Sequence, residues 1–227
     1  MKKSSYLLIL FVVIIWGGNS LLKKSSSNPA PLVYQSKKID PFTVVVAQPG
    51  SKVFLHTEWS SVHHPTFSFV LDKNELYRSP SFGVRNDTLF VFASSSEKEH
   101  RNDRIYGIGI KSIIGLSKSQ IQLNYLKADT LKVKLSYAKI SGDFEHVTKK
   151  PRMLILEADS SKIELKSLVR FDQINLNLNR SHLRVLLGRT DTCTVTGTMN
   201  NYSRMILTGK PFVKVKQDAT SFSSFPN

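Results

Sequence analysis

Between Ser112 and the C-terminus one apolar pattern returns about every twenty residues, and that recurrence limits the possible folds more than any other feature. In LKVKLSYAKI (131–140) it places apolar side chains at Leu131, Val133 and Leu135, a small one at Ala138 and an apolar one at Ile140. LILEADSSKI (154–163) repeats it with Leu154, Leu156, Ala158, Ser161 and Ile163. INLNLNRSHL (174–183) repeats it with Ile174, Leu176, Leu178, Ser181 and Leu183. Weaker copies start at Cys193 and Val213, and an upstream one runs through Ser112, Ile114, Leu116, Ser119 and Ile121. Within a copy the apolar spacing is two, as in a strand that buries one face. One copy has too little apolar surface to fold alone, so copies must stack on one another. A β-sandwich also alternates, but it does not repeat at a fixed interval; the spacing predicts a β-solenoid.

Stacking superposes equivalent positions. Val133, Leu156, Leu176, Val195 and Val215 are expected to form one inward column, and Ile140, Ile163, Leu183, Tyr202 and Phe222 another. Ala138, Ser161, Ser181, Asn200 and Thr220 suit a tight corner. Cys193 falls inward beside Leu131, Leu154 and Ile174, as a core thiol rather than a nucleophile. Three outward columns follow: Lys134, Glu157, Asn177, Thr196, Lys216; Lys132, Ile155, Asn175, Thr194, Lys214; and Lys139, Lys162, His182, Asn201, Ser221.

Upstream, FTVVVAQ (42–48) and KVFLHT (52–57) flank Pro49-Gly50, and SFGVRNDTLFVFA (81–93) turns at Asn86-Asp87. Two antiparallel hairpins are expected there, followed by a polar loop at 94–104. No apolar stripe of helical period occurs after Ile39. At the N-terminus Lys2-Lys3 precede an apolar run from Tyr6 to Trp16, with Lys23-Lys24 beyond. A basic start and a short apolar core read as a membrane signal anchor, or as a cleaved signal peptide. The expected organisation is 1–24 anchor or signal, 25–38 tether, 39–104 the hairpin part of an all-β head, and 105–227 solenoid repeats. This arrangement predicts a bacterial cell-envelope location, with the head outside the cytoplasm.

Three segments carry a resemblance. DPFTVVVAQPGSKVFLHTE (40–58), NDTLFVFA (86–93) and LKVKLSYAKISGDF (131–144) are similar to the opening strands, the turn-and-strand step and the rung of the head GIN domain family. That family comprises adhesin-like, auto-transporter-like proteins of bacterial envelopes. The resemblance spans roughly residues 39–225 and implies an exported parallel β-solenoid without established catalysis. The chain departs from the family in having lost the glycine at most turns.

The net charge of +15 is extreme and attracts polyanions. The cationic candidates for an anion-binding face are Lys132, Lys134, Lys139, Lys162, Arg184, Lys214 and Lys216. Anionic polysaccharide or lipopolysaccharide is the expected partner, besides the membrane reached through the N-terminal segment. Nucleic acid is not expected, because no aromatic residues interleave the lysines. Arg101, Arg104 and Lys111 form a second basic region. Glycoside cleavage needs two convergent carboxylates; only Glu157 and Glu164 share a copy, so no catalytic residue is assigned. His63-His64 are adjacent and would point to opposite faces of a strand, and one cysteine cannot build a thiolate site, so no metal or cofactor is expected. Two other functions remain open on this sequence: a carbohydrate-active enzyme on the same scaffold, and an accessory or sensing subunit that docks an envelope protein.

Overall fold

The computed structural model describes residues 33–56, 65–71, 82–93, 104–107, 109–124, 129–143, 153–166, 171–187 and 192–225. The expected N-terminal anchor or signal (1–24), His63-His64, Arg101 and most of the 94–104 loop lie outside the described residues. Every element described is a strand. The first seven are β1 (Val33–Lys38), β2 (Val44–Ala47), β3 (Lys52–His56), β4 (Thr66–Leu71), β5 (Phe82–Arg85), β6 (Thr88–Val91) and β7 (Arg104–Tyr106). Six follow in the repeats: β8 (Ser112–Gly115), β9 (Gln120–Asn124), β10 (Thr130–Ser136), β11 (Lys139–Asp143), β12 (Met153–Asp159) and β13 (Lys162–Lys166). The last six are β14 (Gln173–Asn179), β15 (His182–Leu186), β16 (Thr192–Asn200), β17 (Arg204–Thr208), β18 (Lys210–Gln217) and β19 (Phe222–Ser224).

The chain is a parallel β-solenoid flattened into two sheets. Each turn gives its first strand to one sheet and its second to the other. Sheet 1 has the order β1-β4-β7-β3-β9-β11-β13-β15-β17-β19, and sheet 2 the order β18-β16-β14-β12-β10-β8-β2-β6-β5. Odd and even residues alternate between core and solvent, so β10 and β14 bury every second side chain. Leu131, Val133, Leu135, Leu154, Leu156, Ile174, Leu176 and Leu178 from sheet 2 meet Ile121, Ile140, Ile163, Leu183, Val185 and Met205 from sheet 1 in one apolar core.

A column of small residues turns the chain between the sheets. Gly50, Lys118, Tyr137, Ser160, Arg180 and Tyr202 all have positive φ, and each immediately precedes a buried Ser or Ala. Left-handed backbone costs a side-chain-bearing residue about 1–2 kcal/mol, so the packing of the turn must hold it there. Hydrogen bonds show how. The N–H of Tyr137 donates to the Asp159 carbonyl of the next turn at 2.9 Å, and that of Ser160 to Asn179 at 2.9 Å. One residue later the neighbouring carbonyl has rotated away, and a serine hydroxyl replaces it. Ala138 N–H donates to Ser161 Oγ (3.1 Å), Ser161 N–H to Ser181 Oγ (3.1 Å) and Ser181 N–H to Ser203 Oγ (3.2 Å). Each hydroxyl then donates to a carbonyl of its own turn, those of Asp159, Asn179 and Asn200. Buried N–H groups need an acceptor, and serine supplies one without the bulk that a corner excludes.

The register agrees with the expected columns in the middle of the repeat and departs from them at both ends. Val133, Leu156 and Leu176 are partners, as are Ile140, Ile163 and Leu183. Leu176, however, faces Gly197 rather than Val195, which pairs instead with Ile174. The second column continues through Met205 and Ser223; Tyr202 and Phe222 are exposed. The corner column continues through Ser203 and Ser221, not Asn200 and Thr220. Two connections differ in length. The segment joining β15 to β16 sets Val195 opposite Ile174, two residues beyond the expected Cys193. Asn201 and Tyr202 then both take left-handed φ, which makes the following corner one residue longer than the corners at Tyr137 and Arg180. Upstream, the corner between β8 and β9 is also a residue longer, so Ile113, not Ile114, points inward opposite Val133. Gly197 is dictated by close approach: a Cβ there would lie 1.7 Å from the Leu176 carbonyl oxygen.

The N-terminal part differs from two successive hairpins. The second expected hairpin is present: β5 and β6 are antiparallel across Asn86-Asp87, both left-handed as a two-residue turn requires. The first is absent. Pro49-Gly50 is a solenoid corner, and β2 and β3 belong to different sheets. Both already lie in parallel register with the repeats, β2 beside β8 and β3 beside β9. The chain then passes to the outer side of this turn, where β6 and β7 add a further parallel pair. Antiparallel β5 covers that end of sheet 2, and β4 followed by β1 covers that end of sheet 1.

Candidate functional site

The seven cationic candidates do not share a face. Lys132, Lys134, Lys214 and Lys216 project from sheet 2, and Lys139, Lys162 and Arg184 from sheet 1. The corner between the two strands of a turn reverses the outward direction, so the two groups point away from each other. On sheet 2 the register runs Lys132–Ile155–Asn175–Thr196–Lys214 and Lys134–Glu157–Asn177–Thr198–Lys216. The lysines at its two ends are four strand spacings apart, about 19 Å. Between them Thr196 and Thr198 donate to the side-chain carbonyls of Asn175 and Asn177. Lys134 is paired with Glu157 at 3.3 Å, and Lys214 lies over the Phe212 ring, 5.2 Å from its centroid.

On sheet 1 the first outward column beside the corner runs Lys52, Gln120, Lys139, Lys162, His182, Arg204 and Phe222. Lys139 and Lys162 are direct register partners on adjacent strands. Neither has a carboxylate within ion-pair distance among the described residues. The next column holds Ser141, Glu164, Arg184 and Ile206. There Glu164 is shared by Arg184 at 3.8 Å and Lys166 at 3.7 Å. Two ammonium groups about 5 Å apart in water repel by under about 1 kcal/mol, a cost the fold tolerates and one that an incoming anion would relieve.

A shallow groove of about 430 Å³ runs along this corner. Three parallel rows define it. Lys118, Tyr137, Ser160 and Arg180 form the outer wall, Gln120, Lys139, Lys162 and His182 the inner wall, and Ser119, Ala138 and Ser161 the floor. The outer wall is the left-handed row, whose side chains splay outward because of that backbone. Tyr137 is 53% exposed, and Arg180 holds Asp159 in a two-pronged contact at 3.1 and 3.2 Å. Burial first, then Arg204 and Lys162, keep His182 below the ordinary imidazole range, so it adds no cation. Buried Ser119 Oγ and His182 Nε2, both along the groove, have no hydrogen-bond partner. The ladder of hydroxyls does not extend to Ser119, because the Ser51 N–H of the preceding turn donates to the Gln48 carbonyl instead.

Other sequence candidates resolve separately. Glu157 and Glu164 stand on the outer faces of opposite sheets, each beside a cation. Cys193 is buried, and burial followed by the Asp172 charge pushes its thiol up to about 11. Its partner in β18 is Pro211. His56 is buried in sheet 1 beside Tyr106, with ring centroids 5.1 Å apart. Burial, then Arg104, lowers its pKa to about 4. The groove was missed from sequence, although the corner residues that line it had been aligned; their outward splay depends on φ.

No protein-family model matches the chain, and no curated protein does. Solved structures do. A "putative adhesin" from Bacteroides fragilis superposes with a TM-score of 0.51 at 11% identity, over 86% of this chain and 96% of that one. A protein of the same description from Parabacteroides distasonis aligns at 0.44 and 11%, over 86% and 98%. A lipid-binding-type protein from that organism aligns at 0.37 and 11%, over 88% and 98%. At such identity, the likeness to the Bacteroides fragilis protein establishes a shared fold across nearly the whole of both chains.

Proposed function

We propose that this chain is a non-catalytic bacterial envelope protein of head GIN type, whose solenoid binds anionic glycan outside the cytoplasm. The basic, apolar N-terminus supports membrane attachment, and the adhesin-type description of its structural relative supports a binding role. One observation carries the choice of ligand: Lys139 and Lys162 stand in register on sheet 1, and among the described residues no acid pairs with either. Repeated charges at the strand spacing match a polymer that presents repeated anions. Sheet 2 offers no equivalent, because its lysines are dispersed or occupied.

Retention of the protein on immobilised polygalacturonate, eluted with salt, tests this function. Binding should weaken steadily between low and physiological ionic strength. Lys139→Glu with Lys162→Glu should lower affinity at least about tenfold, while Lys132→Glu with Lys216→Glu should have a much smaller effect. Equal losses from the two faces, or no retention of the wild type at low salt, would overturn the proposal.

A further inference from the structure

Resting on that function, we infer that the corner groove of sheet 1 seats a single anionic sugar unit, its ring against Tyr137 and its acidic substituent between Lys139 and Lys162.

The two middle turns of the groove assemble the parts. Tyr137 and Lys139 come from one turn, and Ser160 and Lys162 from the next. Between the walls lie only Ala138 and Ser161, so the floor is shallow and small. A half-exposed tyrosine ring is an apolar plate with a polar tip. Lys139 and Lys162 line the other side of that floor with Gln120, and Ser160, whose hydroxyl donates to Asp159 at 3.3 Å, keeps its oxygen as an acceptor. A ligand that satisfies all of these has one apolar face, several hydroxyls and a negative group at its edge. A uronic acid has that form, and so does a phosphorylated sugar of lipopolysaccharide.

Alternatives use the groove less completely. A free phosphate would engage the lysines and leave the tyrosine idle. Single-stranded nucleic acid needs a stacking platform for successive bases, but the outer wall carries one aromatic ring, with Lys118 before it and Ser160 and Arg180 after it. At the far end Arg180 is neutralised by Asp159, which concentrates the attraction on the Lys139–Lys162 pair. The volume of about 430 Å³ lies within the usual range for small-ligand sites.

Calorimetric titration of the full chain with trigalacturonate tests the assignment. Neutral galactotriose and inorganic phosphate serve as controls. Wild type should bind trigalacturonate measurably tighter than either. Tyr137→Asn should weaken that binding about tenfold, and Tyr137→Phe should retain it. Asparagine suits left-handed backbone at least as well as tyrosine, so the variant should fold. Its thermal melt and its retention on polygalacturonate confirm that the rest of the face is intact. Glucose 6-phosphate added as a further arm separates the two sources: tighter binding than trigalacturonate assigns the phosphorylated sugar, and weaker binding the uronic acid. Wild-type affinity in Tyr137→Asn with polymer retention preserved would overturn the groove and leave the broader function standing. Loss of polymer retention by wild type itself would overturn both. Phosphate binding as tight as the sugar acid would overturn the sugar assignment alone.

Discussion

The two outer faces are built from the same repeat and share one core, yet they present different chemistry. On sheet 2 the central positions are Asn175, Asn177, Thr196 and Thr198, which satisfy one another, and the lysines stand at the margins. On sheet 1 the cations cluster beside a corner, and two of them adjoin with no carboxylate in ion-pair distance among the described residues. Inward positions are constrained by close packing, since each must fill the space between two sheets. Outward positions meet only water and their register neighbours. A solenoid can therefore hold one core constant while each face takes up its own surface chemistry.

Three perturbations probe how far the faces are separate, beginning with the most severe. Leu176 is buried on sheet 2, with Leu156 and Gly197 as neighbours in register. Leu176→Asp places an isolated carboxylate in the shared core and should cost more than about 4 kcal/mol. Both faces should be lost together in one denaturation transition. Persistence of sheet 1 protection in hydrogen exchange would show that the faces are independent units.

Acid should act through sheet 1. The His56 pKa falls from 6.5 to about 4 on folding, so the unfolded chain binds its proton more readily than the folded one. Its contribution is full above about pH 6.5 and disappears as pH falls through about 4, a change on the order of 3 kcal/mol. Urea midpoints at pH 7 and 4.5 should differ more for wild type than for His56→Gln. Identical pH dependence in the two proteins would remove His56 as the cause. Asp218 must be kept in both, because its hydrogen bonds from the Asn201 backbone and from nearby side chains hold it down to about 2, so its own contribution is lost only as pH falls further, towards 2.

The corner joins the faces, and its two halves should respond differently. Ser181→Ala removes the acceptor of the Ser161 N–H and should cost about 1–3 kcal/mol. Ser119→Ala removes a hydroxyl that has no partner and should leave the melting temperature unchanged or slightly higher. Equal losses at both positions would mean that bulk, not hydrogen bonding, is what serine supplies.

The stacked copies between Leu131 and Leu183 were legible in the sequence because their spacing is constant there. In β16 the expected partners are displaced by two, yet the inward assignment of Val195 holds, since a strand repeats every two residues, and in β18 Val215 keeps its expected column. The displacement is invisible to alternation alone. Around Ser112 the displacement is by one, and there the faces exchanged: Ile114 and Leu116 were expected inward, whereas Ile113 is the buried residue. The length of the connection between β15 and β16 causes the first error and an extra residue in the corner between β8 and β9 the second; residues added to a polar connection leave no hydrophobic signature. The cationic candidates were legible as exposed residues, but their division between two faces was not, because that depends on where the backbone reverses.

By itself the sequence determined the strand character, the stacking of successive copies, the buried thiol and the basic net charge, all of which follow from spacing and composition along the chain. The tertiary structure alone decided which lysines adjoin, which corner opens into a groove, and that the first turn of the solenoid is seated between later ones. Those properties depend on distances between segments far apart in the chain, and such distances are settled by corner length, left-handed backbone and packing rather than by any local pattern.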